Sequence, residues 1–169
     1  MQIKRILIPV DFSSHSLAAL DYAAELAKPF KAALLVLHVV EPIMYYTAPD
    51  FAGGAAAASA ELIDAQRRSG RAQLVRLEQR YAKRRVALRA LLQTGAPHQA
   101  IADTARQMKA DLIVMATHGH TGWSHLLMGS VAERVVRCAA CPVLTLHPQA
   151  KARRRTAAKR APARARRRQ

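Results

Sequence analysis

Two segments of the chain carry residue types that could bind a ligand, and each directly follows an apolar run of strand character. The first is Asp11, a carboxylate placed immediately after Ile6–Val10. The second begins at Ala116 and continues through a glycine-containing loop to Gly129 and Ser130, at the predicted start of a helix. If the two runs form neighbouring parallel strands, both segments open into one crevice at the carboxyl edge of the sheet.

The chemistry of these segments suits an anion held opposite a carboxylate. Glycine lets the backbone approach a ligand without interference from a Cβ atom. A helix N-terminus offers free N–H groups and a partial positive charge to a phosphate. We therefore predict that Gly129, Ser130 and Val131 donate to phosphate oxygens. Asp11 would accept hydrogen bonds from ribose hydroxyls or base amines. The glycine pattern matches neither the Rossmann fingerprint nor the Walker A loop, so two ordinary loops of an α/β fold remain the alternative.

Apolar periodicity predicts the elements that position these segments. Short continuous apolar runs indicate strands covered on both faces, and apolar positions three and four residues apart indicate helices. The predicted strands are Ile6–Val10, Ala33–Val40, Val86–Gln93, Asp111–Ala116 and Pro142–Leu146, and the predicted helices cover about 16–28, 55–84, 98–108 and 129–138. Because strands and helices alternate, we predict an α/β fold with an open, doubly wound parallel sheet and helices on both faces.

Local signals set several of the predicted boundaries. Pro9 cannot donate to a ladder, so the first strand should stop pairing there. Ser13 or Ser14 should cap the first helix, and Pro97 suits the first turn of the third helix. The stretch Glu41–Gly54 is predicted to be a loop. The second helix should bury a stripe formed by Leu62, Leu74, Leu77 and Tyr81.

The spacing of the site residues resembles the nucleotide signature of the universal stress protein family. That signature reads Gly, two residues, Gly, nine residues, Gly and then Ser or Thr. This chain has Ala116-Thr117-His118-Gly119, nine residues, and then Gly129-Ser130-Val131. The opening Ile6–Ser13, the pair His38-Val39 and the run Cys141-Pro142-Val143-Leu144 are also similar to the family. The similarity covers Met1 to His147, which is nearly the whole predicted domain.

The resemblance implies a five-stranded sheet in the order 3-2-1-4-5, of the adenine nucleotide alpha hydrolase-like fold, and an ATP site. In that order strands one and four are neighbours, which agrees with the crevice inferred above. By position, Asp11 and the backbone of Val39 would contact the adenine and ribose end. Ribose and phosphates would be contacted by Gly119, Gly129, Ser130 and Val131, and Pro9 and Ala116 complete the implied binding set.

Ala116 departs from the signature, which has glycine at that position. Its methyl group is harmless if the backbone is extended, and obstructive if φ is positive or the ligand packs closely. The implied function is an ATP-binding stress-response or regulatory module, with or without Mg²⁺. No Gly-x-Ser-x-Gly elbow and no paired carboxylates are evident, so at most slow ATP hydrolysis is expected.

The charge of the chain is concentrated at one end. The formal net charge of the 169 residues is +16, and residues 151–169 hold ten Lys or Arg and no acid, which leaves residues 1–150 at +6. We predict a nucleotide-binding domain at residues 1–148 and a disordered basic tail at 149–169. The alternative function is a dimeric scaffold that binds nucleic acid or another polyanion through Lys151 to Arg168. The sequence has no signal-peptide pattern and no membrane-length apolar run, so we expect a cytoplasmic protein.

The remaining candidates are interpreted as structural or as interface residues. No metal site is predicted, because one Cys-x-x-Cys and nearby loop histidines lack the spacing of a zinc module; these residues are His118, His120, His125, Cys138 and Cys141. The two cysteines should be mostly buried beside the last strand, and Phe12 and Trp123 should be lid or packing residues. The last strand, Val143 to Leu146, lies at a sheet edge, and the family commonly dimerises there, so we expect a homodimer.

Overall fold

The computed structural model describes residues 2–42, 52–84, 86–117 and 129–147, with 52–59 described by their backbone alone. Five strands and four helices alternate along these ranges: β1 (Arg5–Pro9), α1 (Ser14–Phe30), β2 (Ala33–Val40), α2 (Ala52–Ala82), β3 (Leu88–Thr94), α3 (Pro97–Gln107), β4 (Leu112–Ala116), α4 (Ser130–Cys138) and β5 (Val143–Leu146). The expectations for Gly119, Trp123, the loop histidines and the tail lie outside the described residues. Within those ranges, no helix is long and apolar enough to cross a membrane.

The five strands form one parallel sheet in the order β3-β2-β1-β4-β5, so the predicted fold class is confirmed. Strand β1 lies at the centre, where Ile6 is the partner of Leu34 in β2 and of Leu112 in β4. The chain winds from β1 to β3 in one direction and from β4 to β5 in the other. The winding therefore reverses between β1 and β4, which is where ligands bind in open sheets of this kind.

Alternate residues along each strand point to opposite faces of the sheet and belong to two separate layers of the core. Ile6 and Ile8 lie on the face covered by α1 and α2, and Leu7 lies on the face covered by α3 and α4. All three side chains are fully buried, and burying an aliphatic side chain of this size contributes about 1.5–3 kcal/mol. Because both faces are covered, the strands read as continuous apolar runs, which is the pattern that predicted them.

Helix α1 begins as expected and ends later than expected. Ser13 is its N-cap, and the Ser13 hydroxyl oxygen accepts from the Ser16 N–H at 3.2 Å. The helix continues through Pro29 to Phe30, two residues beyond the predicted end. It stops at Lys31, whose φ of 52° is left-handed and whose N–H donates to carbonyls of the last turn. This left-handed cap, rather than the proline, terminates the helix.

Two predictions for the second helix were wrong. Gly53 and Gly54 belong to α2 and not to the preceding loop. Glycine in a helix costs about 1 kcal/mol relative to alanine, and the alanine run that follows offsets this penalty with its high helix propensity. Leu62 is 39% exposed, whereas Leu74 and Leu77 are buried. At 1.5 Å per residue, a helix of 31 residues is longer than the strands beneath it, so its first half extends past the sheet.

Tyr81 joins the buried half of α2 to α1. The Tyr81 side chain is 1% exposed, and its hydroxyl donates to Asp21 Oδ1 at 2.7 Å. Arg84 Nη1 donates to the same oxygen at 2.6 Å. Burial raises the pKa of Asp21, but hydrogen bonds from Tyr81 and Arg84 and the charges of Arg80 and Arg84 outweigh it, so the pKa lies below its ordinary value. The folded state therefore favours the charged carboxylate.

We predict that Tyr81→Phe lowers the free energy of unfolding by about 1–2 kcal/mol at pH 7, because it removes a partly buried hydrogen bond to a charged group. Tyr22→Phe is the matched control, since Tyr22 lies on α1 with 49% of its surface exposed. The control should change stability by less than about 0.5 kcal/mol. Urea denaturation of the three proteins measures the difference, and equal losses in both variants would contradict the role given to Tyr81.

The stabilisation that Tyr81 gives through Asp21 depends on pH in a defined direction. The pKa of Asp21 is lower in the folded than in the unfolded chain, so its stabilisation is complete above the unfolded pKa. It is lost as the pH falls through the folded value. The stability difference between wild type and Tyr81→Phe should therefore narrow below about pH 4.

Candidate functional site

The carboxyl end of β1 presents Asp11 on a turn that its own side chain stabilises. The Val10 N–H donates to the Leu37 carbonyl at 2.8 Å, so pairing with β2 continues one residue past Pro9. Asp11 Oδ1 then accepts from the Ser13 N–H at 3.0 Å, which is an Asx turn. Phe12 between them has a φ of 63°, a left-handed conformation that a bulky residue rarely adopts. A strained residue next to a carboxylate is typical of a functional turn.

The carboxyl end of β4 is hydrogen-bonded both to β5 and to the residue that precedes α4. Ala116 pairs with Leu146 of β5, and its φ is not among the positive values of the described residues, so its backbone is extended. The Thr117 N–H donates to the Leu146 carbonyl at 2.9 Å, and the Gly129 N–H donates to the Thr117 carbonyl at 2.7 Å. Thr117 and Gly129 are therefore held next to each other at the end of β4. The alanine in place of the signature glycine causes no backbone strain.

Helix α4 begins immediately after Gly129. Gly129 is its N-cap, and no side chain caps the helix among the described residues. The first amide hydrogens of a helix have no intrahelical acceptor, so those of Ser130 and Val131 point beyond the helix end. Glu133 in the first turn would oppose a bound anion, but it lies 2.7 Å from Arg137, which offsets its charge. The N-terminus of α4 keeps the donors and the partial positive charge that an anion requires.

The two strand ends meet in a cavity of about 360 Å³ on the face of the sheet covered by α3 and α4. Seven of the eight residues in the implied binding set line it, and they are Pro9, Asp11, Val39, Ala116, Gly129, Ser130 and Val131. The eighth, Gly119, lies outside the described residues. The crevice predicted from the strand ends is therefore present. The contacts that each residue makes with a ligand remain a prediction.

The cavity has two chemically different ends. Asp11 and Glu41 supply carboxylates beside β1 and β2, and Ser130 and Val131 supply helix N-terminal amides beside β4. The lining residues in the described part of the chain include no Lys, Arg or His. Between the ends lie apolar side chains, among them Leu37 and Ile101. Such a site suits a ligand that carries hydrogen-bond donors and apolar surface toward one end and an anion at the other.

Sequence reasoning did not identify several of the lining residues. Glu41 follows β2, and Pro97 opens the helix after β3, so both also lie at carboxyl ends of strands. Their position after a strand could have identified both residues from the sequence, because the carboxyl ends of all strands of a parallel sheet open to the same edge. Ser16 and Ile101 also line the cavity from helices, where only the folded packing reveals which face they take.

The cysteine expectation needs correction. Cys138 is exposed at the end of α4 and is not mostly buried, and Cys141 is half-buried. Burial, and to a lesser extent the negative charge of Asp111, raises the pKa of Cys141, which disfavours its thiolate. In the described residues, no group of three His, Cys, Asp or Glu side chains is arranged to hold a metal ion. Phe12 packs against the α1 and α2 layer of the core, as a packing residue would.

Asp11 has a structural role that can be separated from any binding role. We predict that Asp11→Ala lowers the free energy of unfolding by about 1–2 kcal/mol, because the Ser13 N–H loses its acceptor beside a strained residue. Asp11→Asn keeps an oxygen at that position and should stay within about 0.5 kcal/mol of wild type. Urea denaturation without ligand tests both variants. Equal destabilisation by the two substitutions would show that the carboxylate charge, and not the turn, is what stabilises the fold.

The chain also matches known proteins over its folded length. Residues 2–147 match the model of the universal stress protein family. A universal stress protein from Methanocaldococcus jannaschii is 38% identical over 144 residues, which cover 85% of this chain and 81% of that protein. The structure of UspA from Lactobacillus plantarum superposes with a TM-score of 0.74 at 29% identity, covering 86% of this chain and 99% of that one. A family protein from Arabidopsis thaliana, solved with AMP bound, superposes with a TM-score of 0.62 at 19% identity, covering 87% and 93% of the two chains. This chain therefore belongs to the universal stress protein family.

Proposed function

We propose that this protein binds ATP or a related adenine nucleotide in the cavity between β1 and β4, and acts as a regulatory module of the stress response. One observation carries the proposal: a single cavity joins the carboxylate of Asp11 to the N-terminus of α4, which no described side chain caps. An adenine nucleotide has the matching order of groups, with donors on base and ribose and charge on the phosphates.

The bound nucleotide would lie along the cavity in one direction. The base and ribose would lie near Asp11 and the Val39 backbone, where the carboxylate accepts from an amine or hydroxyl. The phosphates would lie against the amides of Ser130 and Val131, with the Ser130 hydroxyl as a further donor. Gly129, which the sequence also offered as a donor, already gives its N–H to the Thr117 carbonyl and would contribute only close backbone approach. Because no described Lys or Arg lines the cavity, Mg²⁺ bound to the phosphates would supply the missing positive charge.

Two further observations support the proposal. The Arabidopsis relative was solved with AMP bound, so this fold holds an adenine nucleotide in at least one family member. The backbone of Ala116 is extended, so the methyl group that departs from the signature requires no positive φ. Ala116 would therefore interfere with binding only if the ligand packed closely against its methyl group.

The proposed role is binding and not dedicated catalysis. Phosphoryl transfer needs cations or donors placed against the charge that develops on the transferred group, together with an oriented nucleophile. The described lining offers two carboxylates near the base end and no basic side chain near the phosphate end. Such a site would hydrolyse ATP slowly at most. The presence or absence of bound nucleotide, and not catalysis, would then regulate the protein.

The nucleotide proposal predicts that ATP with Mg²⁺ raises the melting temperature of the purified protein. A ligand present at a hundred times its dissociation constant stabilises the folded state by about 2.7 kcal/mol. Gly129→Arg should abolish this shift, because its side chain enters the cavity at the helix N-terminus. Val136→Arg, on an exposed position of the same helix, adds the same side chain away from the cavity and should keep the shift.

Differential scanning fluorimetry with ATP, AMP and adenosine gives the required comparison. Loss of the ATP shift in both arginine variants would point to general damage to α4. The proposal fails if wild-type protein shows no shift with any of the three ligands and carries no copurified nucleotide.

We propose further that the protein forms a homodimer through β5. This strand pairs only with β4 among the described residues, and its four residues, Val143 to Leu146, are all half-buried. Such an edge can pair with the same strand of a second copy, which would cover these side chains.

The basic tail supports a separate proposal, that Lys151 to Arg168 binds nucleic acid or another polyanion. Contacts of this kind are electrostatic and depend steeply on salt. We predict that removing residues 151–169 abolishes binding to a single-stranded oligonucleotide at low salt and leaves the ATP-dependent melting shift unchanged. Fluorescence anisotropy across a salt series measures the first effect. Unchanged oligonucleotide affinity after truncation would exclude the tail as its source.

A further inference from the structure

A second cavity adjoins the nucleotide cavity on the opposite face of the sheet. Its volume is about 660 Å³, and it lies between the carboxyl end of β2 and the middle of α2. Asp11, Val39 and Glu41 line both cavities, so the two spaces meet over the ends of β1 and β2. We call this second space the α2 chamber.

One wall of the α2 chamber is a polar stripe on α2. Gln66, Ser69 and Gln73 line it at helical spacing, with Gly70 among them. The three polar side chains are exposed or half-buried, whereas Gly70 is buried. Neither glutamine has a hydrogen bond or ion pair among the described residues. The side-chain amides of Gln66 and Gln73 therefore remain available to a ligand.

The other wall is an imidazole fixed in position by three contacts. His38 Nδ1 lies 2.8 Å from the Val10 carbonyl, and because a carbonyl only accepts, this nitrogen carries the proton. The ring packs against Phe12, with centroids 4.5 Å apart. On α2, a Cβ atom added at Gly70 would lie 2.7 Å from His38 Cδ2, so only glycine leaves room for the ring. In the neutral ring, Nε2 is then an acceptor.

The chemistry of the α2 chamber favours a group that donates hydrogen bonds and carries no negative charge. Its described lining contains the carboxylates of Asp11 and Glu41, the amides of two glutamines and the imidazole of His38, but no Lys or Arg. Acceptors with net negative charge attract an ammonium group and repel a phosphate. The chamber is therefore unlike the phosphate end of the nucleotide cavity, which presents helix N-terminal amides.

We propose that the α2 chamber receives a substituent on the 6-amino group of an adenine nucleotide, with a cationic amine as its preferred end group. This inference rests on the proposed nucleotide site. The 6-amino group is the only hydrogen-bond donor on the base of adenosine, so a carboxylate that contacts the base must contact this amine. Because Asp11 stands where the two cavities meet, the amine would face the α2 chamber. A substituent on the 6-amino group would extend from the nucleotide cavity into the α2 chamber and would not disturb the phosphates.

Isothermal titration of the full chain with three probes tests the proposal. The probes are ATP, N6-(6-aminohexyl)-ATP, and an ATP that carries the same aminohexyl arm on C8, which lies on the other edge of the base. We expect the N6 probe to bind about tenfold more tightly than ATP, and the C8 probe to bind no more tightly than ATP. The double variant Gln66→Ala/Gln73→Ala should remove the tenfold advantage and leave ATP affinity within twofold of wild type. Gln79→Ala, an exposed change on the same helix, should keep the advantage.

Each remaining outcome separates the two proposals. If ATP binds and the N6 probe binds no better, or the C8 probe gains equally, the chamber does not receive the substituent while the nucleotide site stands. An advantage that survives in the Gln66→Ala/Gln73→Ala variant would also overturn the inference. If neither ATP nor the N6 probe binds, the nucleotide site and the inference fall together.

Discussion

The parallel pairing of β1 with β4 is the contact on which the rest of the site depends. Asp11 and Gly129 are far apart in the sequence, and only the adjacency of these two strands brings their surroundings to one cavity. The pairing is secured at its start by Asp111, whose carboxylate accepts from the backbone N–H groups of Lys4 and Arg5 at 2.7 and 2.8 Å. These two bonds hold the pKa of Asp111 below its ordinary value, so the carboxylate stays charged and the link persists at neutral pH.

The opposed chemistry of the two strand ends gives the cavity a direction. A carboxylate repels phosphate and attracts donors, whereas the N-terminus of a helix does the reverse. A ligand bearing both kinds of group is therefore oriented by charge before any close packing is considered. The Asx turn of Asp11 and the hydrogen bond from Gly129 to Thr117 hold these groups in place without a ligand, so a ligand bound there would cost little ordering entropy.

The sequence predicted the parts of the fold that depend on burial and strand ends. β2 was predicted to the residue because an unbroken apolar run is uncommon outside a doubly covered strand. Asp11, Gly129, Ser130 and Val131 were predicted from the strand ends and the helix start, whereas Pro9, Val39 and Ala116 came from the family resemblance. All seven line one cavity because the strand ends of a parallel sheet share one edge. The exposure of Leu62 and Cys138 was missed, since both lie where a helix extends beyond or along the margin of the sheet. Periodicity alone does not say where the layer beneath a helix ends. The α2 chamber was missed because Gly70 looks like any helical glycine until the ring of His38 is seen against it.

Chemical shifts of the backbone amides at the start of α4 test the account most directly. In two-dimensional amide spectra of the isotope-labelled protein, ATP should move the signals of Ser130 and Val131 strongly. Adenosine, which has no phosphate, should move the signal of Val39 and leave those two nearly unchanged. Phosphate held by bare amide hydrogens requires this difference. Titration with ATP that perturbs other residues while these two α4 signals stay fixed would contradict it.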